Sequence, residues 1–203
     1  KLAGDLHLAN PVGPGWADPT TGRFDDPRMR GRDQRPYGPL PSAWAKFRGV
    51  YHFGDQTIVS YTVGDAAILE LAGAELDAKH PDQPIFTRTL EIGKSSRDLL
   101  ARLAPAGIAV TLLGDSNVSL VEQEGFTLLR VPAGATPARV KVLLAKTDSQ
   151  ALKAFASTSP PPRSLQALTK GGPRRWPEPL PATVAIGKED GPFAVDTFAL
   201  PIR

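Results

Sequence analysis

The sequence predicts a mainly β fold: an antiparallel, sandwich-like domain with one or two short helices and long Pro/Gly-rich arms. An α+β domain is the alternative. Three observations carry the prediction. First, 19 glycines and 21 prolines occupy roughly a fifth of the 203 residues, against a usual ~12%. Each proline removes a backbone donor and each glycine raises the entropy cost of ordering, so the chain cannot be mostly helix. Second, runs of β-branched, leucine and aromatic residues alternate with polar ones, separated by tight turn sequences. Third, 41% hydrophobic and 22% charged residues are enough for an ordinary globular core.

Residues 1–48 read as an extended arm packed on the domain. Leu6 and Leu8 start a short alternation, which "PVGPGW" breaks through Pro11, Gly13, Pro14 and Gly15. "DPTTG" is a turn. The stretch through Pro41 has neither helical nor strand period. Its aromatics Trp16, Phe24, Tyr37 and, just beyond, Trp44 indicate packing, since disordered linkers are poor in them.

Residues 49–158 read as the antiparallel β-rich core. "GVYHFGDQTIVSYTVGDAAILELAG" is strand, Gly-Asp turn, strand, Gly-Asp turn, strand: a meander. "DAKHPDQP", residues 77–84, reads as a polar loop, and "IFTRTLEIG" as a strand. "KSSRDLLARLAPAG" predicts a helix near 95–104, capped by Ser95 or Ser96, with Leu99, Leu100 and Leu103 on its apolar face and Pro105 and Gly107 ending it. "IAVTLLG", "VSLVEQEG" and "FTLLRVP" read as short strands. Val140, Val142 and Leu144 alternate with Arg139 and Lys141 in another. "TDSQALKAFAST" reads as a second short helix. Residues 159–203 read as a Pro-rich connector followed by closing strands around a turn at Glu189–Pro192. No repeat of fixed period is present.

The composition excludes several chemistries. Without cysteine the chain has no disulfide, thiol nucleophile, iron–sulfur cluster or covalent haem attachment of its own. His7, His52 and His80 are far apart, with no HxH or HExxH spacing, so no metal site is assigned. GxSxG, P-loop and GxGxxG patterns are lacking. The "GDS" at Gly114–Ser116 reads as a turn. Asp25 and Asp26 are adjacent and point opposite ways in extended backbone, unsuited to a shared acid–base site. No residue is assigned a catalytic role and no cofactor is assigned to this chain. No apolar run reaches the ~18 residues that would span a bilayer. The chain opens on Lys1 without a signal-peptide pattern, which reads as an internal piece of a longer polypeptide or a processed product.

Two constellations remain as candidate anion or glycan sites. In "FDDPRMRGRDQRPYGPLP", Arg28, Arg30, Arg32, Arg35 and Tyr37 offer planar forks suited to sulfate, phosphate or carboxylate. The interleaved Asp25, Asp26 and Asp33 favour self-pairing that fixes the arm, and they argue against nucleic acid. The net charge of only +3 argues the same way. In "GGPRRWPEP", Arg174, Arg175 and Trp176 could stack on a sugar or simply pin a connector.

"ANPVGPGWADPTTGRFDDPRMRGRDQRPYGPLP", "RGVYHFGDQTIVSYTVGDAAILEL", "GGPRRWPE" and "GPFAVDTFALPI" together resemble a region of unknown function in large secreted bacterial multidomain proteins. These are haem-binding (CxxCH) or membrane-bound-dehydrogenase-like proteins, in which the region adjoins a sorbosone-dehydrogenase-like propeller. The resemblance is specific in the arm and the meander and loose between residues 77 and 160. It implies an extracytoplasmic location, periplasmic or secreted, and neighbouring domains of the same polypeptide as partners. Carbohydrate is the implied ligand class, and haem c would lie elsewhere in the parent protein. The expected function is a non-catalytic structural or interaction module of a larger redox or carbohydrate-related protein. The alternatives are part of the active-site wall of a propeller-type sugar dehydrogenase, and a glycan- or anion-binding module with Trp16, Trp44 or Trp176 as a stacking platform.

Overall fold

The computed structural model describes residues 8–77, 80–134, 137–172 and 183. The fold is mainly β, as the sequence predicts. In chain order the elements are β1 (Met29–Arg30), β2 (Pro36–Tyr37), β3 (Ala45–Phe53), β4 (Gln56–Val63), β5 (Ala66–Asp77), β6 (His80–Ile92), β7 (Leu99–Pro105), β8 (Ala109–Gly114), β9 (Ser119–Gln123), β10 (Phe126–Val131), β11 (Ala138–Ala145), helix α1 (Ser149–Thr158) and a 3-10 turn at Gln166–Lys170. The strands form a two-stranded hairpin β1-β2, a three-stranded sheet β7-β10-β9 and a six-stranded sheet β3-β4-β5-β6-β11-β8. All pairings are antiparallel.

The meander is present as β3, β4 and β5. Its two turns place Gly54 and Gly64 at φ of 60° and 57°, a region that glycine enters without steric cost. Alternation then decides the faces. Val63, Ile68, Leu90, Ile92, Val140 and Val142 point from the large sheet towards Leu99, Ala101, Leu103, Leu129 and Val131 of the small one, forming the main core. The opposite face of the large sheet is covered by helical elements. Leu152 and Ala156 of α1 pack on Ile85, Ala109, Leu143 and Ala145. Leu165 and Leu168 of the 3-10 turn pack on Ile58. Asp148 caps α1 by accepting from Ala151 N at 2.8 Å. Glu91 does the same for the 3-10 turn, accepting from Leu165 N at 2.7 Å and Gln166 N at 3.2 Å.

Two readings need correction. The helix expected near 95–104 is a strand, β7. Leu99, Ala101 and Leu103 are buried at alternating positions, and β10 supplies the hydrogen-bonding edge. The same leucines fit a helical stripe, so tertiary pairing decided between the two periods. Ser95 caps no helix: its hydroxyl accepts from Arg97 N at 3.2 Å in a local turn. The loop expected over 77–84 is mostly strand, because β5 runs to Asp77 and β6 starts at His80, with those two residues paired. The closing strands expected near the C-terminus lie outside the described residues.

The arm lies along the free side of β7. Ala17 N donates to Leu100 O at 2.9 Å and Arg102 N donates to Gly15 O at 2.7 Å, and Asn10 Nδ2 donates to Leu103 O at 3.2 Å. The segment thus extends the small sheet by one short rung and satisfies backbone groups that an edge strand would leave open.

Candidate functional site

β7 carries one charged residue among apolar ones. Leu99, Ala101 and Leu103 face the core, so Arg102 projects from the other side of the small sheet. There its guanidinium carbon lies 4.3 Å from the ring centre of Phe24 and 4.4 Å from that of Phe126. One ring comes from the arm, the other from the first residue of β10. Two ring contacts of this kind hold the cation in place by its attraction to the π faces. Two buried arginine nitrogens lack a protein partner among the described residues, Nε of Arg102 and Nε of Arg139. Of these two residues, Arg102 borders a cleft.

That cleft has a volume of about 470 Å³ and lies between the arm and the small sheet. Val12 and Pro14 line one part. Asp25 and Asp26 line another, and Arg30, Gln34 and Arg35 come from the β1-β2 hairpin. The hairpin holds itself together. Gly31 N donates to Arg35 O at 3.0 Å, Arg30 donates from its guanidinium to Gln34 O at 2.9 Å, and Asp33 accepts from Arg35 N at 3.1 Å. Tyr37 lies against Gly31, where an added Cβ would strike its ring, and donates its hydroxyl to Asp33 at 3.1 Å.

The arm arginines therefore separate into distinct roles. Arg28 grips Asp26 through Nε at 2.8 Å and a terminal nitrogen at 2.7 Å. That grip holds the Asp26 carboxyl below the usual carboxylate range and raises Arg28, in each case against the cost of burial. Arg23 pairs with Asp25 at 2.9 Å, with both side chains mostly exposed, a type of pair that contributes little. Arg35 is 3.8 Å from Asp33. Arg30 and Arg35 reach the cleft, whereas Arg28, Arg32 and Tyr37 do not line it. Arg32 is exposed at the hairpin turn. Arg174, Arg175 and Trp176 lie outside the described residues. Trp16 and Trp44 are 7% and 5% exposed, so neither offers the stacking surface expected of it. Trp44 Nε1 donates to Trp16 O at 3.1 Å, and Trp16 Nε1 donates to Tyr61 Oη at 3.1 Å.

Behind the cleft, a polar chain runs through the core. Tyr61 donates to Glu70 Oε2 at 2.6 Å, and Arg88 Nε donates to Glu70 Oε1 at 2.6 Å. A terminal nitrogen of Arg88 lies 3.5 Å from the carbonyl of Arg102. Burial pushes the Tyr61 phenol up strongly, helped by the Glu70 charge and hydrogen bond. Burial works against the Arg88 charge, but Glu70 outweighs it and Arg88 rises.

Residues 1–70 match the family model of a domain of unknown function, DUF6797. That match spans the arm, the β1-β2 hairpin and the first two strands of the meander, and so every cleft residue except Arg102. No curated protein and no solved structure matches the chain.

Sequence reasoning missed Arg102, Phe24 as its partner, and Phe126. The three are 78 and 24 positions apart along the chain in register terms that no local pattern connects. A signal did exist for Glu70 and Arg88: both occupy inward positions of their strands, in line with Ile68 and Leu90. Among the described residues, no group of three or more His, Asp or Glu is placed to hold a metal ion. No described helix is long and apolar enough to cross a membrane.

Proposed function

We propose that the chain is a non-catalytic interaction module that holds an anionic group in the cleft between its arm and its small sheet. One observation carries the reading: Arg102 is clamped between Phe24 and Phe126, its buried Nε without a partner among the described residues, at the wall of a cleft that Arg30 and Arg35 also border. A fixed guanidinium loses little freedom on pairing, so it is suited to recognition. The cleft volume falls within the ~300–1,000 Å³ of small-molecule sites. The group recognised would belong to carbohydrate or to a neighbouring domain of the same polypeptide. The sequence resemblance supports a secreted, extracytoplasmic redox or carbohydrate-related parent. Any haem c would sit elsewhere in that parent, since this chain has no cysteine. The dehydrogenase-wall alternative receives less support, because Arg28, Arg30, Arg32 and Tyr37 do not converge on one pocket.

A thermal-shift titration with acetate, sulfate, phosphate and glucuronate tests the reading. A ligand at about 100 times its Kd stabilises by roughly 2.7 kcal/mol, a shift of roughly 5–11 °C for a domain of this size. The shift should shrink in Arg102→Lys, which keeps the charge and loses the fork. Indifference of the parent protein to all four anions would end the proposal.

A further inference from the structure

We propose that the outer edge of β3 is a docking site for an acidic, apolar segment of this same chain, residues 189–200. β3 ends the large sheet and pairs only with β4 among the described residues. Its nine residues, Ala45–Phe53, present an edge of about 30 Å, and the open backbone groups of such an edge are a template for another strand. Phe47, Val50 and Tyr51 are 67%, 48% and 40% exposed there. The register sets Phe47 and Val50 opposite Tyr61 and Val59, and Tyr51 opposite Ile58. Tyr61 packs against the main core and Ile58 lies under the 3-10 turn, so the exposed side chains of β3 flank both faces of the edge. A helix or a flat surface would cover one face. An added strand places alternate side chains on both.

Charge selects the occupant. Lys46 and Arg48 are exposed on β3, the strand has no Asp or Glu, and among the described residues neither cation forms an ion pair. Basic side chains on an edge deter a second basic strand, including another copy of β3, and favour an acidic one. Residues 189–200, which lie outside the described residues, carry Glu189, Asp190 and Asp196 and no Lys or Arg. Within them "FAVDTFAL", residues 193–200, runs without Gly or Pro. Alternation assigns Phe193 and Val195 to one side of that run and Phe198 and Leu200 to the other, which suits an edge with apolar groups on both faces. The path of the chain brings the segment within reach. Gly172 passes against the end of β3, where an added Cβ would lie 2.7 Å from Gly54 N and 2.9 Å from Phe53 Cα. The linking residues 173–192 reach up to about 66 Å when extended, more than the length of β3. A bulge between Phe47 and Gly49 interrupts the ladder, so continuous pairing falls on residues 49–53.

Amide hydrogen exchange of the full 203-residue chain, resolved residue by residue, tests the docking. A strand paired on both sides has no outward N–H, so consecutive amides over residues 49–53 should be protected, whereas an open edge leaves alternate ones exchanging freely. Lys46→Glu with Arg48→Glu alters exposed residues that do not line the cleft, so it leaves the anion reading untouched. It should speed the outward amides at least about tenfold. Adding Glu189→Lys, Asp190→Lys and Asp196→Lys to that variant should restore the protection. Alternate fast amides in the parent overturn the proposal. Protection that ignores both sets of charge reversals overturns the assignment to this segment. Protection that grows with protein concentration, together with a doubled mass by light scattering, gives the edge to a second copy and overturns docking within one chain.

Discussion

The buried Arg88–Glu70 pair gives the sharpest test of the core. The side chains are 23% and 17% exposed and meet at 2.6 Å, beside a core of Ile, Leu, Val and Ala with Trp16. Removing one partner leaves an uncompensated buried charge, which costs about 3–5 kcal/mol. Arg88→Met keeps the length of the side chain and deletes its charge. With about 2–4 °C per kcal/mol for a domain of this size, its Tm should fall by roughly 6–20 °C. Glu70→Leu should act similarly, since it strips Arg88 of its acceptor. In the double variant Arg88→Met with Glu70→Leu, neither charge remains. Its residual cost is the lost acceptor of Tyr61, about 1–3 kcal/mol, well below the sum of the single losses. Urea unfolding at neutral pH, followed by tryptophan fluorescence from Trp16, which donates to Tyr61, measures all three against the parent. Additive single effects would refute the reasoning, as would an Arg88→Met protein within about 2 °C of the parent.

Three further outcomes are expected. Burial raises the Tyr61 phenol from its usual 10.0, so its contribution to stability is full below pH 10 and declines as pH rises beyond it; the urea midpoint of Tyr61→Phe should fall less steeply than that of the parent between pH 10 and 11.5. Asp148→Ala removes the cap on Ala151 N and should cost about 1 kcal/mol, read as a Tm lower by about 2–4 °C with the cleft's ligand response unchanged. Gly114 has φ of 119°, and an added Cβ would collide with Arg139 O and approach Pro162; Gly114→Ala should therefore lose at least about 1–3 kcal/mol by thermal unfolding, and a Tm equal to that of the parent would contradict the close approach of β8 and β11.

By itself, the sequence determined the features whose causes are local. The meander was legible because Gly-Asp turns and β-branched alternation act within a few residues, and β3, β4 and β5 follow them. The helix over Ser149–Thr158 was legible for the same reason, with Asp148 as its cap. The self-pairing of the arm was legible in part, because Asp26 and Arg28, or Asp33 and Arg35, are two residues apart. What only the tertiary structure decided depends on partners distant in the chain. Leu99–Pro105 satisfies two periods, and the edge of β10 selected the strand. Lys141 is 6% exposed in a strand that looked half polar, because Glu75, two strands away across β6, meets it at 2.5 Å. Arg102 became the cleft wall because the arm carries Phe24 onto the small sheet and β10 begins with Phe126. Turn chemistry and alternation are properties of a segment, whereas stacking, burial and the pairing of charges are properties of the surfaces that folding brings together.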